Sequence, residues 1–175
     1  MAAISHLRGE ASDTPDTSQY LTFMLGSDVF AMDIRTVREI IQYGTMTTVP
    51  LMPTFVRGVI NLRGAVVPVI DLQARFGHPP ASVGRRTCIV VFDAVRHGER
   101  LELGLLVDAV SEVVDIPASQ IEPAPSFGTS VRRDFIHGMA KAAEGRFIVV
   151  LAPDKALDVD EMAALCEVSQ DALAA

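Results

Sequence analysis

Between Tyr20 and Leu151 the chain is a succession of short β-branched runs, each stopped by glycine, proline or a polar pair before a helix of useful length could form. The densest stretch sets the pattern. Val59-Ile60-Asn61-Leu62 and Ala65-Val66-Val67 meet at Arg63-Gly64, a tight-hairpin dipeptide because glycine accepts positive φ. Pro68 cannot donate to a ladder, which predicts an edge or a bulge there. Asp71 is placed to cap a short helix from Leu72 to Phe76, ended by Gly77. Tyr20–Leu25 and Val29–Ile34 form a second hairpin around Gly26-Ser27-Asp28. Val37–Ile41, Thr87–Phe92, Leu101–Val107, Val110–Ile116 and Phe147–Leu151 read as further strands. Thr54–Arg57 reads as one helical turn after Pro50 and Pro53. Only the end of the chain has helical spacing: Asp158-Val159-Asp160-Glu161 resembles a capping box, followed by Met162, Leu165, Cys166, Ser169 and Leu173. Many short strands with little helix predict an all-β barrel or sandwich.

Two signatures recur. Val37-Arg38-Glu39-Ile40 is echoed by Val110-Ser111-Glu112-Val113, and Phe55-Val56-Arg57-Gly58 by Phe135-Ile136-His137-Gly138. The Glu-to-Gly spacing is 19 residues in one copy and 26 in the other, so the second carries an insertion. The repeat predicts two similar small barrels side by side. Residues 1–18 are polar and small and read as a flexible arm, 19–153 as the folded domain, and 154–175 as an acidic helix and tail.

Charge and composition remove whole classes of function. Hydrophobic residues make up 49% of the 175, too many for a disordered chain and enough for one domain or two lobes sharing a core. No apolar run approaches the roughly 20 residues of a membrane helix. Nor does the sequence after Met1 have a signal-peptide layout, so a soluble, intracellular protein without direct membrane insertion is expected. The net charge of −7 lies mostly in the tail. From Asp154 onward six acids face one base, and 16 acids against 14 bases remain before it. A nearly neutral body with no Trp and two Tyr excludes a nucleic-acid-binding stripe.

No phosphate loop, dinucleotide fingerprint, metalloprotease helix or nucleophile elbow occurs in the sequence. His6, His78, His97 and His137 are scattered, and none has a ligand neighbour at metal spacing. Cys88 lies in an apolar strand and Cys166 on a helical stripe, where each acts as a small hydrophobe. No cofactor, metal or catalytic group is implied, and binding is the default role. The best candidate surface pairs Glu39, a carboxylate on an otherwise apolar strand, with Arg63 at its turn, rimmed by Val37 and Ile40. Strict alternation puts Val37 and Glu39 on one face and Ile40 on the other unless a bulge intervenes.

Val37-Arg38-Glu39-Ile40, the Phe55–Gly64 segment with its Asn61-Leu62-Arg63-Gly64 turn, and Val67-Pro68-Val69-Ile70-Asp71-Leu72 resemble the CheW family of bacterial chemotaxis adaptors. So do Val107–Val113 and Ile121-x-Pro-Ala-Pro. The resemblance spans about Tyr20 to Leu165, while the Ala94–Arg100 hairpin is several residues longer than the family pattern. It implies two SH3-like five-stranded β-barrels packed side by side, and no enzymatic activity. It also implies two partners: the cytoplasmic tip of methyl-accepting chemoreceptors and the regulatory domain of the histidine kinase CheA. Val37, Glu39, Ile40, Gly58 and Arg63 match the partner-binding region, with Val37, Ile40, Cys88 and Val110 as apolar receptor contacts. The kinase is expected on the end of a barrel. A cytoplasmic scaffold recruited to receptor arrays follows, of flagellar or of pilus-type output. The chain's end inside an acidic helix argues against a fused kinase or a receiver-bearing CheV-type protein, and the lack of a catalytic motif argues against an enzyme.

Overall fold

The computed structural model describes residues 17–50, 52–75, 79, 81–96, 98–123, 136–141 and 145–152. Eleven strands occur among them: β1 (Thr17–Leu25), β2 (Asp28–Asp33), β3 (Val37–Gln42), β4 (Val56–Leu62), β5 (Ala65–Asp71), β6 (Cys88–Arg96), β7 (Glu99–Val107), β8 (Ala109–Pro117), β9 (Ile121–Glu122), β10 (Ile136–Lys141) and β11 (Phe147–Leu151). One helix of four residues, α1 (Leu72–Arg75), follows β5. The strands form a five-stranded sheet, β3-β6-β7-β5-β4, and a six-stranded one, β8-β1-β2-β11-β10-β9.

The two sheets share one plan. β8, β1, β2, β11 and β10 stand in the same order as β3, β6, β7, β5 and β4, with a parallel pair, β2–β11 or β7–β5, inside each. The bulges match as well. The β3–β6 ladder slips between Val37 and Glu39, and the β1–β8 ladder slips where Phe23 faces Val110 and Leu21 faces Val113. The β4–β5 ladder slips at Gly58 and the β10–β11 ladder at Gly138. Both repeat signatures therefore mark bulges, which conserve a local kink rather than a surface. The repeat's halves nevertheless exchange strands. β1 and β2, which open the first copy, lie in the sheet of β8–β11, while β3–β5 lie with β6 and β7.

Three apolar clusters follow from the strand alternation. Val90, Phe92 and Ala94 of β6 face outward and meet Leu21, Phe23, Leu25, Phe30 and Met32 of the other sheet in one large layer between the sheets. Ile89 and Val91, on the opposite face of β6, pack inside the five-stranded barrel with Val69 and Leu106. Tyr20, Ala31, Ile116, Ala140, Ile148 and Val150 fill the other barrel. The Phe23 and Phe30 rings, opposite one another in the β1–β2 hairpin, stack at 6.3 Å within the shared layer.

Several sequence expectations are corrected. Thr17 and Ser18, assigned to the arm, pair with Pro117 and Ile116 and extend β1. Thr54–Arg57 is not a helical turn: Val56 N–H closes a turn onto the Pro53 carbonyl (3.0 Å), and Val56 already faces Ile70 in the β4–β5 ladder. Pro68 lies on an interior strand, not at an edge. β9 and β10 are strands that the sequence pattern does not announce, and β9 adds a sixth strand to one barrel. The predicted C-terminal helix and most of the arm fall outside the described residues.

Candidate functional site

The bulge in β3 decides which side chains the candidate surface offers. Two residues, Val37 and Glu39, face the single step from Phe92 to Val91, so Arg38 is extra. The slip reverses the simple alternation. Val37 and Ile40 both turn toward the layer between the sheets, while Ile41 packs toward the barrel interior. Val37 is only 9% exposed and belongs to the core, so it is not the open contact the alternation predicted. Ile40 is half-buried at the border of the same layer. Cys88, opposite Gln42, shares the face of Val90, which lies opposite Ile40. Val110, opposite Phe23, borders the layer from the other sheet. Ile40, Cys88 and Val110 thus present partly exposed apolar edges of one core, with Val37 beneath.

Glu39 and Arg63 do pair. Arg63 Nη2 donates to Glu39 Oε1 at 2.5 Å, with the arginine side chain 65% exposed and the carboxylate 26%. The turn aims the guanidinium. Arg63 and Gly64 both have positive φ, 53° and 86°, as a two-residue type I′ loop between Leu62 and Ala65 requires. Asn61 Oδ1 accepts the Gly64 N–H at 3.0 Å and fastens the loop. A non-glycine residue in the left-handed region costs about 1 kcal/mol or more, and Arg63 is the one such residue among those described. A largely solvated ion pair held in a strained turn contributes little to stability.

Gly58 lets two backbone segments approach closely. It is buried, and a Cβ there would sit 2.8 Å from the Thr47 carbonyl oxygen and 3.2 Å from Met46 Cβ. That close approach lets Thr47 exchange both backbone hydrogen bonds with Val59 (3.0 and 2.8 Å).

Sequence reading missed the reach of Asp71, which does more than cap α1. Its side chain is fully buried. Oδ1 accepts from Gln73 and Ala74 N–H (3.0 and 3.4 Å), and Oδ2 from Ala81 N–H (2.8 Å) and Arg57 Nη1 (3.2 Å). Arg57 also donates to the Ala81 carbonyl at 2.9 Å, so one ion pair binds β4, β5, α1 and the loop before β6. The Asp following the apolar strand was the available signal; the donors from Ala81 were too distant in sequence to foresee. A second network crosses the strands at Arg38, which reaches Asp93 (3.5 Å) and Glu102 (3.6 Å). Asp108 joins the sheets by accepting from Gly26 N–H at 2.7 Å.

Two shifted groups lie near these residues. Burial works to raise the Asp33 carboxyl, but the Arg35 side chain and backbone N–H hold it below the usual carboxylate range. Burial pushes the Cys88 thiol up, away from the thiolate a nucleophile needs. Among the described residues no group of three His, Cys, Asp or Glu side chains is placed to hold a metal. Among the same residues no helix is long and apolar enough to cross a membrane.

Two curled β-sheets around a shared apolar layer, with a charged pair on a tight turn and half-buried apolar edges, define a two-barrel β protein. The comparisons give the family. The CheW-like domain matches residues 19–161, and the chain belongs to that family. A chemotaxis protein CheW of Klebsiella aerogenes is 34% identical over 170 residues, covering 97% of each chain. One of Rhizobium meliloti is 36% identical over 143 residues, covering 82% of this chain and 89% of the relative. Among solved structures, the scaffolding protein TtCheW of Thermoanaerobacter tengcongensis superposes with a TM-score of 0.71 at 32% identity, covering 82% of this chain and 89% of its own. The family is one of chemotaxis scaffolds, and the two-barrel β fold implied by the resemblance is the fold found.

Proposed function

We propose that this chain is a non-catalytic adaptor that couples the cytoplasmic tip of methyl-accepting chemoreceptors to the regulatory domain of a CheA-type histidine kinase. It acts in the cytoplasm, at membrane-associated receptor arrays. The observation that carries this reading is the Glu39–Arg63 pair, held solvent-accessible on a strained turn. Ile40, Cys88 and Val110 supply apolar contacts to the receptor's helical tip, and Val37 and Gly58 hold the backbone beneath them. An adaptor of this kind changes kinase output only by contacting active and inactive states differently. Weak individual contacts suffice, because an array presents many sites at once.

The test is kinase autophosphorylation reconstituted with the cognate kinase and receptor-bearing membranes. Wild-type protein should raise the rate, and Arg63→Glu should remove most of the gain while leaving the urea midpoint nearly unchanged. Glu39→Arg combined with Arg63→Glu should recover part of it if the pair's geometry matters. Full activation by Arg63→Glu, or micromolar ATP binding by the isolated protein, would refute the reading.

A further inference from the structure

The parallel ladder between β5 and β7 stops early, and Pro68 is the cause. Pairing runs through Val69↔Gly104, Ile70↔Leu105 and Asp71↔Leu106 and goes no further toward the β4–β5 turn. Pro68 lies opposite Val59, whose N–H and C=O both point away to Thr47. Backbone groups alternate sides along a strand, so those of Val66, Pro68 and Ile70 face β7. The next rung requires an N–H at position 68 to reach the Glu102 carbonyl, and proline has none. The corresponding residue of the other sheet is Val149, and there the ladder continues through Val149↔Phe30 to Ile148↔Val29.

Beside this end of the ladder lies a cleft of about 430 Å³, lined from the start of β5 and of β7. The Glu102 carbonyl faces it with no N–H at position 68 to accept from. Half-buried Leu62, Val66 and Leu101 give it apolar walls. Arg63, paired with Glu39, and Arg100, 3.8 Å from Asp93, stand at its rim, 65% and 67% exposed, and Glu102 also lines it. The long β6–β7 hairpin adds two further pairs, Val95↔Arg100 and Arg96↔Glu99, and prolongs the open edge.

We infer that this cleft docks an extended acidic peptide of a partner protein, added as a strand to the open edge with carboxylates on Arg63 and Arg100. An open backbone carbonyl favours a strand, apolar walls accept alternate side chains, and two arginines select acidic ones. The inference shares Arg63 with the adaptor reading, while Pro68 and Arg100 take no part in that reading and keep the two tests apart.

The probe is a fluorescein-labelled seven-residue peptide alternating Asp and Val, titrated with full-length protein and read by anisotropy. Its counterpart alternates Lys and Val. Saturable binding of the acidic peptide alone is expected, weakened about tenfold or more by Arg100→Glu, the equivalent of one charge-assisted contact. Pro68→Val supplies the missing N–H, so it should close the ladder and abolish binding without lowering the urea midpoint. Should Pro68→Val fail to fold, Arg100→Glu alone decides. Equal binding of both peptides, undiminished binding by Arg100→Glu, or displacement of the peptide by inorganic phosphate at equal ionic strength would overturn the inference.

Discussion

Replacing Asp71 with alanine removes the acceptor for four donors at once, and the structure sets the size of the loss. Arg57 keeps the Ala81 carbonyl and is 24% exposed, so water can serve its freed nitrogen. Ala81 N–H, in a residue 6% exposed, is left bare, and α1 loses its cap. Breaking a buried pair from one side costs about 3–5 kcal/mol. With a urea slope of about 2 kcal/mol per M, the midpoint should fall by roughly 1.5–2.5 M. Asp71→Asn should cost nearly as much, because both carboxylate oxygens face donors and an amide NH2 must confront one of them. Arg57→Ala leaves three backbone donors in place and should cost about 1–2 kcal/mol. The double variant should fall short of the sum by about 1 kcal/mol or more. Urea titration followed by far-ultraviolet circular dichroism gives all four midpoints. Additive losses, or an Asp71→Ala loss below about 1 kcal/mol, would show that the ion pair does not hold these elements together.

Val37→Asp buries a charge in the layer between the sheets, so it should cost several kcal/mol and abolish cooperative unfolding, whereas Arg63→Ala should match wild type; thermal melts distinguish them. Gly58→Ala drives a Cβ to 2.8 Å from a backbone oxygen and should cost about 1–3 kcal/mol, read as a lowered urea midpoint. The depressed Asp33 carboxyl contributes stability that is full above its unfolded value of about 3.9 and lost as pH falls through the lower folded value. The midpoint deficit of Asp33→Asn at pH 6 should therefore shrink on acidification toward pH 3, and a constant deficit would contradict the assignment.

The local turns were legible because their chemistry is local. Arg63-Gly64 between two apolar runs specifies a type I′ hairpin, and Glu39, a carboxylate on an apolar strand, had to meet either solvent or an arginine. The repeat was legible as a repeat, but its strand exchange was not, since similar segments do not encode which copy they pair with. Val37 shows the cost of reading alternation without bulges: one extra residue, Arg38, moved it from a presumed groove into the core. Pro68 failed for a related reason. A proline is barred from a rung, and an interior strand whose ladder has already ended satisfies that as well as an edge does. Asp71 was read only through its nearest donors, because Arg57 and Ala81 reach it through tertiary folding.

The strand exchange also sets an order of events on the ribosome. Every strand of the five-stranded sheet lies between Val37 and Val107, so that barrel can close while the remainder is still unmade. The β1–β2 hairpin emerges first and finishes last. β1 waits for β8, and β2 for β11, on the order of a hundred residues later. At about 5–20 residues per second the hairpin stays unpartnered for roughly 5–20 s, with Phe23 and Phe30 facing solvent. Those seconds are when the nascent chain is most open to chaperone capture or misassembly with its neighbours on the same message.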